Sequence, residues 1–120
     1  AAKNGKREAQ SRLGMIYTQG SKKDYSKAFK WFRRAAKRGD ANAQFHLGQL
    51  YEAGDGIDKN LERAAKWYHM AADQNHSKAQ ANLGWMYING KGVKEDLDEA
   101  EKWYKRSEST EKFSRKTARK

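Results

Sequence analysis

Leu47-Gly48-Gln49-Leu50-Tyr51-Glu52-Ala53-Gly54 is written three times over in this chain. Leu13-Gly14-x-Ile16-Tyr17-x-x-Gly20 precedes it, and Leu83-Gly84-x-Met86-Tyr87-x-x-Gly90 follows. A second phrase keeps step with the first: Ala28-x-x-Trp31-Phe32, Ala64-x-x-Trp67-Tyr68 and Ala100-x-x-Trp103-Tyr104. The Leu-Gly pairs at 13, 47 and 83 are spaced by 34 and then 36 residues. A period of this length marks units that bury their apolar faces by stacking on one another. The default function of such an array is binding rather than catalysis.

Each unit reads as two helices. The first covers about 6–19, 41–53 and 77–89; in unit one Ala9, Leu13, Ile16 and Tyr17 share one helical face. Gly14, Gly48 and Gly84 sit in mid-helix, where glycine costs ~1 kcal/mol relative to alanine. Their recurrence calls for a partner helix approaching too closely to admit a Cβ. Gly20, Gly54 and Gly90 are placed to stop the first helix in a left-handed cap. Asp24, Asn60 and Asp96 are N-caps for second helices over about 24–38, 60–74 and 96–108. Glu62/Lys66, Asp98/Lys102 and Glu101/Lys105 are spaced for i, i+4 ion pairs on solvated faces.

The organisation is therefore an all-α, α/α superhelical solenoid of three helix-turn-helix repeats at 6–40, 41–76 and 77–111, with a frayed basic tail at 112–120. Residues 1–5 align with Ala35–Gly39, which predicts the end of an upstream repeat helix and a fragment of a longer array. Of the 120 residues 37% are hydrophobic, little for a globular core but enough for thin inter-repeat seams. Cysteine is absent, which excludes disulfides, thiolate catalysis and cysteine-based zinc sites. No apolar run approaches the ~18 residues of a membrane span. The chain reads as soluble and, as a fragment, monomeric; bacterial cytoplasm, periplasm and secretion all stay open.

The combined pattern Ala-Gln-x-x-Leu-Gly-x-x-Tyr-x-x-Gly-x-Gly-Val-x-x-Asp-x-x-x-Ala-x-x-Trp-Tyr resembles the Sel1-like repeat, a relative of the tetratricopeptide repeat. The resemblance covers about residues 1–108; repeat one departs from it in a loop shorter by two residues. It implies a right-handed superhelix whose first helices line a concave face. It also implies an adaptor that holds another protein or a peptide, as in bacterial signalling, host interaction and endoplasmic-reticulum quality control.

The same resemblance places ligand contacts beside the Leu-Gly pair on the first helices. By position these are Glu8, Ser11, Met15, Thr18 and Gln19, then Asn42, Phe45, Gln49, Glu52 and Ala53, then Lys78, Ala81, Trp85, Ile88 and Asn89. Helical periodicity agrees, since these positions lie off the Ala/Leu/Tyr seam and vary between repeats. The expected groove set is Met15, Asn42, Phe45, Gln49, Glu52, Trp85, Ile88 and Asn89. Phe45 and Trp85 would be aromatic anchors, or else packing residues between helices. Asn42, Gln49 and Asn89 would clamp a peptide backbone.

The net charge of +11 is uneven: +10 over residues 1–39, −3 over 40–75, −1 over 76–111 and +5 over 112–120. Lys30, Arg33, Arg34 and Lys37 on the second helix, with Arg115, Lys116 and Arg119 in the tail, form a candidate basic patch. It would steer an acidic partner, or serve solubility alone. The alternative function is a polyanion-binding module on an acidic surface, lipid or nucleic acid; nucleic acid is disfavoured because no recognition motif accompanies the charge. His46, His69 and His76 have no metal-ligand spacing, and no phosphate-loop or serine-nucleophile pattern occurs. The expectation is a non-enzyme with no cofactor and no metal.

Overall fold

The computed structural model describes residues 2–18 and 24–118, with side chains over 6–17 and 24–113. Six helices follow in order: α1 (Ala2–Thr18), α2 (Tyr25–Lys37), α3 (Ala41–Ala53), α4 (Leu61–Asp73), α5 (Ser77–Asn89) and α6 (Leu97–Ala118). Among the described residues there is no strand. Each odd-numbered helix packs on the even-numbered one after it, and α2 on α3 and α4 on α5 join the units. The chain is an all-α solenoid of three helical repeats.

The close approach read into the mid-helix glycines is present in every repeat. A Cβ on Gly14 would lie 2.7 Å from the Phe32 ring, on Gly48 2.7 Å from the Tyr68 ring, and on Gly84 3.1 Å from the Tyr104 ring. The glycine of the first helix is thus the seat for the last aromatic of the Trp-aromatic pair on the second. Phe32 and Tyr68 are wholly buried there. Ala28, Ala35 and Ala36, then Ala64, Ala71 and Ala72, fill the rest of the seam with small side chains.

The caps form as their residue types dictate. Asp24, Asn60 and Asp96 accept backbone N–H groups from Lys27, Arg63 and Glu99 at 3.1, 3.0 and 3.1 Å. Gly54 and Gly90 end α3 and α5 at φ +75° and +61°; Gly20 lies outside the described residues. Two caps had no reading in the sequence: Asp40 accepts from the Ala43 N–H at 2.9 Å, and His76 from the Ala79 N–H at 3.1 Å. Gly56 and Gly92 press on the previous repeat's second helix, where a Cβ would strike the backbone at Tyr25 or Leu61.

Glutamine locks successive repeats together. Gln44 Nε2 donates to the Ala36 carbonyl at 3.2 Å, and Gln80 Nε2 to the Ala72 carbonyl at 3.0 Å. Each amide adds a second donor to a last-turn carbonyl of the preceding helix, which already accepts the Gly39 or Asn75 N–H at 3.0 Å.

Three expectations need correction. Helix α1 runs unbroken from Ala2, through the boundary expected at Gly5. Helix α6 does not stop at 108 in a frayed tail but continues to Ala118. The reason lies at one register position. Gly39 (φ +94°) and Asn75 (φ +64°) turn the chain after α2 and α4; their counterpart is Glu111, a residue that disfavours the left-handed region, so the helix runs on. Ser107 Oγ, donating to the Ser77 carbonyl at 2.9 Å, holds α6 against α5. Of the ion pairs, Glu101–Lys105 forms at 2.8 Å, Lys102 pairs with Glu99 instead of Asp98, and Glu62 and Lys66 do not pair.

The glycine seats differ in tightness, and substitution should reveal it. Gly48→Ala gains ~1 kcal/mol of helix propensity but displaces the buried Tyr68 ring, an overpacking cost of ~1–3 kcal/mol. Gly84→Ala meets the half-buried Tyr104 at longer range. Urea unfolding should show Gly48→Ala clearly destabilised and Gly84→Ala near neutral. Equal effects would remove the ring contact as the reason for the glycines.

Candidate functional site

Three clefts open along the first helices. One, between α1 and α3, is lined by Glu8, Ser11, Arg12, Met15, Asp40, Asn42 and His46. The next is floored by Met15, Tyr25, Phe32 and Leu50 and edged by His46, Gln49, Glu52 and Asp55. The third, between α3 and α5, contains Asn42, Phe45, His46, His76, Lys78 and, from α6, Thr110. Met15 belongs to two of them and packs against the core.

Trp85 and Ile88 stand one turn apart on α5 and are 46% and 41% exposed, an apolar pair held in water. Asn89 Nδ2 donates to the Trp85 carbonyl at 2.9 Å, fixing the end of the same helix. Glu52 accepts the Tyr68 hydroxyl at 2.7 Å. Burial and the Glu52 carboxylate both push the Tyr68 hydroxyl pKa upward, so that phenol stays protonated and donating.

Phe45 is not a surface anchor. It is 6% exposed and lies in the core, its ring stacked on His76 with centroids 4.7 Å apart and tilted against Tyr68 at 5.8 Å. Its counterparts Ser11 and Ala81 are small, so this buried position takes side chains of different size in the three repeats. Thr18 and Gln19 belong to the expected contact set, but their side chains lie outside the described residues.

Two histidines that sequence reasoning left unassigned organise this face. His76 Nδ1 accepts the Ala79 N–H, so its proton is on Nε2, which donates to Asn42 Oδ1 at 2.9 Å. That bond ties the first helix of repeat two to that of repeat three. His46 stacks on Phe32 at 5.0 Å and bonds Gln49 Oε1 at 3.0 Å. Asn42 and Gln49, expected to clamp a ligand, are thus themselves oriented by imidazoles. Burial lowers both imidazole pKa values; the Lys78 charge acts in the same direction on both, and Asp40 opposes it. His69 is elsewhere, on α4, against Asp73 at 3.2 Å and the Trp103 ring edge.

The basic residues divide. Lys30, Arg33, Arg34 and Lys37 are all exposed on α2, with Arg34 over the Trp31 ring at 5.1 Å. No acid follows Asp24 in that helix, and no ion pair forms on it among the described residues. Arg115 and Lys116 lie in the backbone of α6, their side chains outside the described set; Arg119 is outside it altogether. No helix among the described residues is long and apolar enough to cross a membrane.

Because His46 and His76 hold a proton less tightly folded than unfolded, their contribution to stability is complete above the ordinary imidazole pKa of 6.5 and is lost as pH falls through the lowered values. Melting temperature should therefore fall from about pH 7.5 to about pH 5. His76→Asn, which keeps a capping side chain, should flatten that fall; an unchanged slope would show that His76 does not carry it.

The profile of the family described as Sel1 repeat matches residues 7–40, 41–76 and 77–108. A curated relative, DAP3-binding cell death enhancer 1 of Rattus norvegicus, is 46% identical over 61 residues, which is 51% of this chain and 12% of that protein. Among solved structures, a Sel1 repeat protein from Oxalobacter formigenes superposes with TM-score 0.83 and 40% identity, over 87% of this chain and 44% of the other. A protective antigen of uropathogenic Escherichia coli, c5321, with an SLR fold, gives 0.84 and 33%, over 90% and 24%. This chain thus spans less than half the length of each of these relatives.

Proposed function

The chain belongs to the Sel1 repeat family, and from that premise we propose that its first helices bind a peptide or helix of a partner protein. Sel1 repeat proteins are in general non-catalytic scaffolds for protein interaction. The observation that carries the finer reading is the exposed Trp85–Ile88 pair, apolar where repeat two has Gln49 and Glu52. Truncating an aromatic interface anchor commonly costs ~2 kcal/mol or more. The three clefts along the first helices, with Met15 in two of them, add further recesses on those helices. Asn42, Gln49 and Asn89 supply amides for a backbone, two of them pre-set by His76 and His46. Phe45, buried at the floor of the third cleft, is a support rather than an exposed anchor.

A second reading has its own support. The α2 face carries Lys30, Arg33, Arg34 and Lys37 with no acid on the helix and no ion pair among the described residues, whereas α4 and α6 carry Glu62, Asp73, Glu99 and Glu101 among their cations. It would draw an acidic segment of the partner, speeding association in a salt-dependent way.

Peptides selected from a displayed random library separate the two. Trp85→Ala with Ile88→Ala should weaken the selected peptides at least tenfold in titration calorimetry, with circular dichroism unchanged. Arg33→Glu with Lys37→Glu should leave affinity within a few-fold and reduce its salt dependence. Peptides indifferent to the Trp85/Ile88 change would refute the groove.

A further inference from the structure

The cleft floored by Met15, Tyr25, Phe32 and Leu50, of about 620 Å³, differs from the other two first-helix clefts in charge. Two carboxylates, Glu52 and Asp55, stand on its edge, and its lining holds no lysine or arginine. Neither carboxylate forms an ion pair among the described residues. Glu52 accepts the Tyr68 hydroxyl at 2.7 Å, a neutral donor that leaves its charge uncompensated. The Asp55 N–H donates to the Leu50 carbonyl at 3.3 Å, which ties that residue to the end of α3. By contrast, the cleft between α1 and α3 sets Arg12 beside Glu8 and Asp40, and the one between α3 and α5 holds Lys78.

The surrounding structure sharpens the negative field instead of cancelling it. Glu52 and Ala53 belong to the last turn of α3, the end of a helix that favours cations. Burial lowers the pKa of His46 on the same edge, so this imidazole is neutral at pH 7 and adds no positive charge. The cations of repeat one point elsewhere. Lys30, Arg34 and Lys37 are exposed on the side of α2 opposite Tyr25 and Phe32, which line the cleft. Repeat three has Ile88 and Lys91 in place of Glu52 and Asp55, so this acidic edge belongs to repeat two alone.

An apolar floor under an acidic edge complements a side chain with an aliphatic stem and a cationic head. Building on the groove reading above, we infer that this cleft is a subsite for an arginine or lysine side chain of the bound segment, its stem along Met15 and its head at Glu52 and Asp55. The segment thus offers a basic residue to repeat two and an apolar one to Trp85 and Ile88 of repeat three.

The three methionines make the test. With methyl-labelled methionine, Met15 reports the cleft, Met70 the surface of α4 away from it and Met86, wholly buried, the core. The probe is N-acetyl-argininamide, compared with N-acetyl-citrullinamide, which has nearly the same shape without the charge. The expected result is a saturable shift at Met15 with Met70 and Met86 unmoved, roughly tenfold weaker or more for the citrulline compound. Asp55→Asn should weaken arginine binding severalfold, as should Glu52→Gln, which keeps an acceptor for the Tyr68 hydroxyl; Glu8→Gln in the neighbouring cleft should not. No saturable shift at Met15, equal binding of the two compounds, or a shift that survives both carboxylate changes overturns the subsite. Loss of the shift in Glu8→Gln alone moves it to the neighbouring cleft and also overturns it. The groove is judged separately. Peptides that depend on Trp85 and Ile88, with no preference for arginine over citrulline at Met15, overturn the subsite and leave the groove standing. A charge-dependent shift at Met15 with peptides indifferent to Trp85 and Ile88 upholds the cation site and refutes the groove.

Discussion

An aromatic ring seated on a glycine sets the distance between the two helices of every repeat, and the remaining packing is built around that distance. Phe32 on Gly14 and Tyr68 on Gly48 leave no room for a Cβ. At this spacing only small side chains fit along the rest of the seam, which is why Ala28, Ala35 and Ala36 and their repeat-two counterparts Ala64, Ala71 and Ala72 are alanine. Glycine is a poor helix residue, and its ~1 kcal/mol penalty is offset by burying a full phenyl or phenol against backbone. A chain with few aliphatic residues can close a core this way, because one ring per repeat supplies the area several leucines would otherwise provide.

Stacking the repeats needs a second set of contacts, and beside the aromatic ones such as Phe29 on Tyr51 several are polar or steric. Gln44 and Gln80 donate to helix-terminal carbonyls of the preceding unit. Gly56 and Gly92 let a loop lie on the previous second helix without a Cβ in the way. The His76–Asn42 bond adds a third tie between units. Each is directional, so together they define the angle between repeats where apolar contact alone would let units slide. The face that carries the candidate groove inherits its shape from these ties.

The parts of this architecture legible in the sequence are those that repeat. Recurrence marked the mid-helix glycines, the caps at Asp24, Asn60 and Asp96 and the helix stops at Gly54 and Gly90, because one physical need selects one residue type each time. Features used once, or used differently in each unit, were illegible. Phe45 varies against Ser11 and Ala81 as a ligand contact would, yet its ring is buried in the core. His76 caps a helix, a role that aspartate fills one repeat earlier and that imidazole seldom takes. The length of α6 turned on Glu111 standing where Gly39 and Asn75 turn the chain, a difference visible only once those positive φ angles are known.

Variation between repeats therefore has two physical meanings, and burial tells them apart. At 15, 49 and 85 the residue passes from half-buried Met to exposed Gln to exposed Trp without disturbing the helix pair behind it. At 29, 65 and 101 the change from Phe to Ala to Glu alters the seam itself, from filled to open to solvated. The first kind decorates a finished surface; the second changes which surface exists. In a solenoid, where each unit touches only its neighbours, a seam can be left open at one junction without loosening the others. The fold thus varies between repeats in two independent places: along the first helices, through exposed side chains, and beside the second helices, through what is left out.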